Sequence, residues 1–145
     1  MPLKLQWVRE KEYPERPETL GGHLLKRRCQ RGLLQKEVAA NLGVDASTYL
    51  LWEQDRSQPT VRYYPAIFDF LGYEPFAASA ALPDQIAAQR RRLGLTLKEA
   101  SMAIGVDEGT FQRWETGQWK PRMSKEAARR FLAFPVPNRA LDLES

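Results

Sequence analysis

Cysteine and histidine are almost absent from this chain of 145 residues, which has one of each, Cys29 and His23. A single thiol excludes an internal disulfide, and one thiol with one imidazole makes neither a zinc-ligand set nor a nucleophile with its base. Cys29 lies in an amphipathic stretch where a thiol ordinarily fills the core, and His23 reads as a solvated or capping side chain. No apolar run approaches the roughly 20 residues that cross a bilayer, and the opening MPLKLQWVREKEYPERPE lacks the apolar stretch of an export signal. The expectation is a cytoplasmic protein, nucleoid-associated if it binds DNA, with no membrane contact. No paired carboxylates, metal-ligand spacing or phosphate-cradling loop stands out either, so no enzyme, cofactor or metal is expected. The net charge of +4 permits a nucleic-acid partner without demanding one. Most of the excess sits at the far end, where residues 77–145 carry eleven basic against eight acidic groups.

What the chain does have is a repeat. Residues 32–53, GLLQKEVAANLGVDASTYLLWE, return 62 positions later as 94–115, GLTLKEASMAIGVDEGTFQRWE. Laying 20–59 over 82–121 gives thirteen identities in forty positions, among them Arg28/Arg90, Gly43/Gly105, Asp45/Asp107, Trp52/Trp114 and Glu53/Glu115. A period of this length exceeds the 20–50 residues of stacked solenoid units, so each copy is expected to be a small domain.

Each copy reads as helices. Leu20, Leu24 and Cys29 fall on one helical face, as do Leu82, Ile86 and Leu93, and Gly32 or Gly94 ends the helix. Thr96-Leu97-Lys98-Glu99 is a capping box for the next helix, whereas the first copy has Leu34 at the capping position and loses that hydrogen bond. Gly-Val-Asp then forms the turn, with Asp45 and Asp107 capping the third helix. Tyr49 with Trp52, and Phe111 with Trp114, are expected to face inward.

These residues resemble the Cro/repressor-type (Xre-like) helix-turn-helix family over roughly 20–76 and 82–134. The resemblance implies an all-α fold of two tandem lambda-repressor-like helix-turn-helix domains, each of four to five short helices. It also implies a sequence-specific DNA-binding regulator of bacterial type, with double-stranded DNA as partner. In such domains the third helix enters the major groove while the second helix and the following loop hold phosphates. Carried over, the base-facing positions are Ala46, Ser47 and Leu51 in the first head, and Glu108, Gly109, Gln112 and Arg113 in the second. The backbone contacts implied are Gln35, Lys36, Arg56 and Arg62 in the first head, and Lys98, Lys120 and Arg122 in the second. Arg28 with Glu53, and Arg90 with Glu115, are implied to be structural ion pairs between the first and third helices.

The heads are not chemically equal. Ala46 and Leu51 offer only apolar contact, such as to a thymine methyl, whereas Arg113 suits guanine and Gln112 adenine. Glu108 would accept from cytosine or repel phosphate. Gly109 inside the second recognition helix costs about 1 kcal/mol of helix propensity relative to alanine. The runs Arg90-Arg91-Arg92 and Arg129-Arg130 read as solvated helix faces. Residues 1–19 read as an extended arm, either disordered or laid over the first head with Leu5, Trp7 and Val8 as anchors, 77–81 as a linker or an early start to the next helix, and 135–145 as a tail. The competing class is a non-enzymatic, antitoxin-like interaction module. In it one or both heads no longer read DNA, and Leu50 and Leu51 form a homodimer or protein-partner surface.

Overall fold

The computed structural model describes residues 13–76, 78–118 and 125–136. Most of the expected arm with its anchors, the expected phosphate contacts Lys120 and Arg122, and most of the tail lie outside these. Among the described residues all regular structure is helical. The α-helices are α1 (Leu20–Gln30), α2 (Gln35–Leu42), α3 (Ala46–Glu53), α4 (Tyr64–Leu71), α5 (Leu82–Leu93), α6 (Leu97–Ile104), α7 (Glu108–Glu115) and α8 (Lys125–Leu132), with a 3-10 turn at Val61–Tyr63 before α4.

The chain forms two compact units, Met1–Pro59 with Phe70–Pro75, and Thr60–Asp69 with Phe76–Ser145. This division differs from the boundary expected after residue 76, because residues 60–69, part of the first repeat by sequence, group with the second. The 3-10 turn packs on α5, and Pro65 rides over Gly94, where a Cβ would stand 2.8 Å from the proline Cγ. Gly94 has φ +69, so glycine there serves both the helix end and the approach of Pro65.

In the first unit, α1 and α2 both pack on α3. The buried faces carry Leu20, Leu24, Cys29, Val38, Ala39, Leu42, Tyr49 and Trp52. Tyr49 and Trp52 stand three apart on α3 and so share one side of it, which leaves the other side to solvent. The turn into α3 passes through left-handed Gly43, and Asp45 accepts from Thr48 N at 2.7 Å. Leu34 has no acceptor to cap α2, as expected. Half of the capping box nonetheless survives, because Leu34 N donates to Glu37 Oε1 at 2.8 Å.

The second unit follows the same order with different chemistry. Thr96 and Glu99 make the complete reciprocal cap of α6, at 3.1 and 2.9 Å, and Asp107 accepts from Thr110 N at 3.3 Å. Ile86, Ala100, Ile104, Phe111, Trp114, Ala127, Ala128 and Phe131 form its core, rimmed by Leu82, Leu93, Leu95, Leu97 and Val106. Phe111 meets Phe131 edge to face at 4.9 Å, the geometry that ring quadrupoles favour.

One junction is solved in two ways. In the first unit Gly21 N donates to Asp55 Oδ1 at 3.0 Å and Thr19 Oγ1 to Asp55 Oδ2 at 2.6 Å, so Asp55 ties the loop after α3 to the start of α1. Room for it exists only because residue 21 lacks a Cβ, which would stand 2.6 Å from Asp55 Oδ1 and 2.4 Å from Trp52 O. The corresponding pair in the second unit is Pro83 and Gly117. Proline has no N–H to cap, so an aspartate would have nothing to bind there. Gly117 takes the left-handed conformation, φ 79, that Asp55 takes at φ 57.

Candidate nucleic-acid interface

In both units an arginine and a glutamate hold the third helix in place. Arg28 donates to Glu53 from Nε at 2.5 Å and from Nη2 at 3.1 Å, while its Nη1 donates to Leu33 O at 3.1 Å. Arg90 makes the same three bonds, to Glu115 at 2.5 and 3.0 Å and to Leu95 O at 3.1 Å. One side chain thus joins the end of α3 or α7, the first helix of its unit and the loop that leads into the second. Burial acts to lower the Arg28 pKa, but the hydrogen bond and attraction from Glu53 outweigh it and the value is raised. Burial, and then the negative charge of Glu53, push the Tyr49 phenol well above its ordinary range.

The networks differ by one bond. Gln35 Nε2 donates to Glu53 Oε1 at 3.0 Å, whereas Leu97 occupies the matching position in the second unit. Gln35, assigned on sequence to the phosphate backbone, is therefore turned toward the ion pair by one amide N–H. Glu53 is accordingly the more enclosed carboxylate, its side chain 4% exposed against 13% for Glu115.

The outward face of α3 carries Ala46, Ser47 and Leu51, all exposed, and Leu50 beside them is half-buried. Ser47 Oγ donates to Asp45 Oδ1 at 2.9 Å, so at rest its hydroxyl serves the helix cap. Lys36, at the start of α2, and Arg56, in the loop after α3, are exposed on this unit. Arg62 is exposed as well, but it belongs to the second compact unit.

On α7, Glu108 and Gln112 are exposed and Arg113 is half-buried. The Arg113 guanidinium folds back along its own helix, where Nη2 donates to Thr110 Oγ1 at 3.1 Å. A Cβ at residue 109 would stand 3.5 Å from its Nη1, an ordinary contact, and 3.3 Å from the capping Asp107 Oδ2, so the guanidinium does not require glycine there. Lys98 is exposed in the first turn of α6.

Electrostatics at the helix starts follow from the caps. Hydrogen bonds from Thr48 and Ser47 hold the Asp45 carboxyl below its ordinary value, and bonds from Thr110 do so for Asp107, where Arg113 adds attraction. Glu99 is lowered by its bonds with Thr96 and, to a smaller extent, by the positive charge of Arg62. All three are thus anionic near neutral pH.

Sequence comparison also missed a shared device. Arg27 Nε donates to Phe70 O at 3.0 Å, and Gln89, at the matching position, donates from Nε2 to Phe134 O at 3.0 Å. Each ties the first helix of its unit to a later backbone carbonyl. Different residue types do the same work, so an identity count passes over them.

Among the described residues no helix is long and apolar enough to cross a membrane, and no group of histidine, cysteine and carboxylate side chains is placed to hold a metal ion. Residues 35–53 define two helices joined by a tight turn, the second braced from within and open on its outer face. This is the arrangement of a helix-turn-helix. Residues 24–76 match the model of a helix-turn-helix family. No curated protein and no solved structure matches the chain.

Proposed function

We propose that this protein is a sequence-specific DNA-binding transcriptional regulator built from two tandem helix-turn-helix heads, with α3 and α7 as recognition helices and no catalytic centre. The observation that carries the proposal is the shared bracing of the two helices. Each is capped by an aspartate, packed inward through an aromatic pair and locked at its last residue by a bidentate arginine, so that only its outer face remains for a ligand. The match of residues 24–76 to a helix-turn-helix family supports duplex DNA as that ligand.

Within this reading Lys36 and Arg56 anchor the first head on phosphates and Lys98 the second, with Gln35 dividing its amide between the ion pair and the backbone. Lys120 and Arg122, which follow α7 in the sequence, extend the second head's phosphate contacts. Ala46, Ser47 and Leu51 read one half-site chiefly by shape and apolar contact, while Gln112, Arg113 and Glu108 read the other by hydrogen bonds. Because the faces differ, the preferred site is asymmetric. The protein works in the cytoplasm, on the nucleoid.

The test is selection of duplexes from random DNA by the intact chain. Enrichment of an asymmetric, two-part site is expected. Arg113→Ala should cost about 1–3 kcal/mol on that site and relax preference at one guanine. A second reading is favoured by Leu51, 38% exposed on the outer face of α3, and by Leu34, 53% exposed before α2. On that reading the first head presents an apolar surface to a second copy or another protein. Binding that is weak and indifferent to sequence, together with a concentration-dependent dimer lost in Leu51→Ser, would replace the DNA reading with this one.

A further inference from the structure

Arg62 is carried by the first repeat, yet its surroundings belong to the second unit. The 3-10 turn Val61–Tyr63 packs on α5, and Pro65 covers Gly94 so closely that a Cβ there would also stand 3.4 Å from Arg62 O. The backbone that presents Arg62 is thereby seated on the unit that holds α7. Thr60, Val61, Arg62 and Tyr63 line, together with Thr96, an open cleft of about 350 Å³ within that unit. The Arg62 side chain is exposed, and among the described residues it has no salt bridge. Glu99 is near enough to feel its charge, but the Glu99 carboxylate is occupied by Thr96 N at 2.9 Å. A planar guanidinium, uncommitted and beside a mainly apolar cleft, suits one chemistry above others: phosphate oxygens approached by paired N–H donors, with the attached sugar against Val61 and Tyr63.

We infer that Arg62 is a phosphodiester contact of the second head, not of the first, so that the segment joining the repeats is a working part of the second DNA-binding surface. This rests on the DNA-binding reading above and makes it more specific. It departs from the assignment that the sequence invites, in which Arg62 anchors the head whose repeat encodes it. It also means that a cut at residue 76 would remove a contact from the second head and attach it to the wrong fragment.

The experiment uses the intact chain and the duplex that it selects, with ethylation interference to map which phosphates each side chain needs. Lys36→Ala identifies phosphates held by the first head and Lys98→Ala those held by the second. Arg62→Ala should melt like the parent, lower the slope of log K against log salt by about 1, and release a phosphate next to those released by Lys98→Ala. Arg62→Gln should behave in the same way, which excludes an effect of side-chain volume. Release of a phosphate among those mapped by Lys36→Ala, or an unchanged slope, overturns the inference and leaves DNA binding standing. Failure of the intact chain to enrich any duplex overturns the DNA reading, and this inference with it.

Discussion

Asp55 stands in the left-handed region at φ 57, the one non-glycine residue to do so among those described. Its carboxylate ties Thr19 and Gly21 to the loop that carries Arg56. Two effects of opposite sign therefore meet at one position, and substitutions can separate them. Loss of a capping carboxylate costs about 1 kcal/mol. A Cβ in the left-handed conformation costs roughly another 1 kcal/mol, less for asparagine and aspartate than for other residues and nothing for glycine. Asp55→Ala bears both losses, so about 2 kcal/mol is expected. Asp55→Gly loses the cap but sheds the strain, which leaves about 0–1 kcal/mol after the added freedom of the unfolded chain. Asp55→Asn keeps an acceptor and tolerates the backbone, so it should lie near the parent. The predicted order is Asp, Asn, Gly, Ala, measured by urea or thermal unfolding. A difference of 1 kcal/mol shifts Tm by roughly 4–8 °C in a unit of this size. If the alanine variant were at least as stable as the glycine variant, the assignment of strain to Asp55 would be wrong. If both melted with the parent, the capping role would be wrong too.

Glu53→Ala should cost about 3 kcal/mol, at the low end for a partner of a buried pair, and Glu115→Ala about 1 kcal/mol less, because Glu53 is more enclosed and loses a third bond from Gln35; equal losses in urea titrations would contradict the extra bond. Gly94→Ala should lose about 1–2 kcal/mol from its positive φ alone and more from pushing Pro65 away; a parent-like melt would show that residues 60–69 are not seated as described. Burial first, and then Lys26, lower the pKa of His23 below 6.5. A depressed folded value means that the neutral form is the stabilising one, so that contribution is present above the unfolded value near 6.5 and is lost as pH falls through the folded value. Stability should therefore decline slightly from pH 7 toward pH 5, and His23→Gln should remove that slope; a slope that persists in the variant would assign it elsewhere.

What could be read from the sequence depended on whether both copies use the same residue for the same task. Arg28/Glu53 and Arg90/Glu115 are conspicuous because bidentate geometry admits no substitute for guanidinium and carboxylate, and the structure brings each pair together. Trp52 and Trp114 are conspicuous because a buried indole leaves a large void when replaced, and both are buried. Where two chemistries serve equally well, the repeat falls silent. A carbonyl accepts equally from Arg27 or Gln89. The start of α1 is satisfied by Gly21 with Asp55, and that of α5 by Pro83 with Gly117, each pair intelligible only when both members are seen together. Gly109 reads as a weakened helix, and the structure adds only that a Cβ there would stand 3.3 Å from the capping Asp107 carboxylate. The grouping of residues 60–69 with the second unit depends on the contact of Pro65 with Gly94, 29 positions away, and no local pattern encodes that.

The central claim is that both heads read DNA. Its most direct measurement is a hydroxyl-radical footprint of the intact chain on the duplex it selects from random sequence, beside the footprint of Gln112→Ala/Arg113→Ala. Two protected stretches in successive major grooves, about 34 Å apart or a multiple of it, are predicted, with the double substitution weakening one stretch and sparing the other. Protection of a single groove, unchanged by loss of Gln112 and Arg113, would contradict the account and leave α7 without a role in reading DNA.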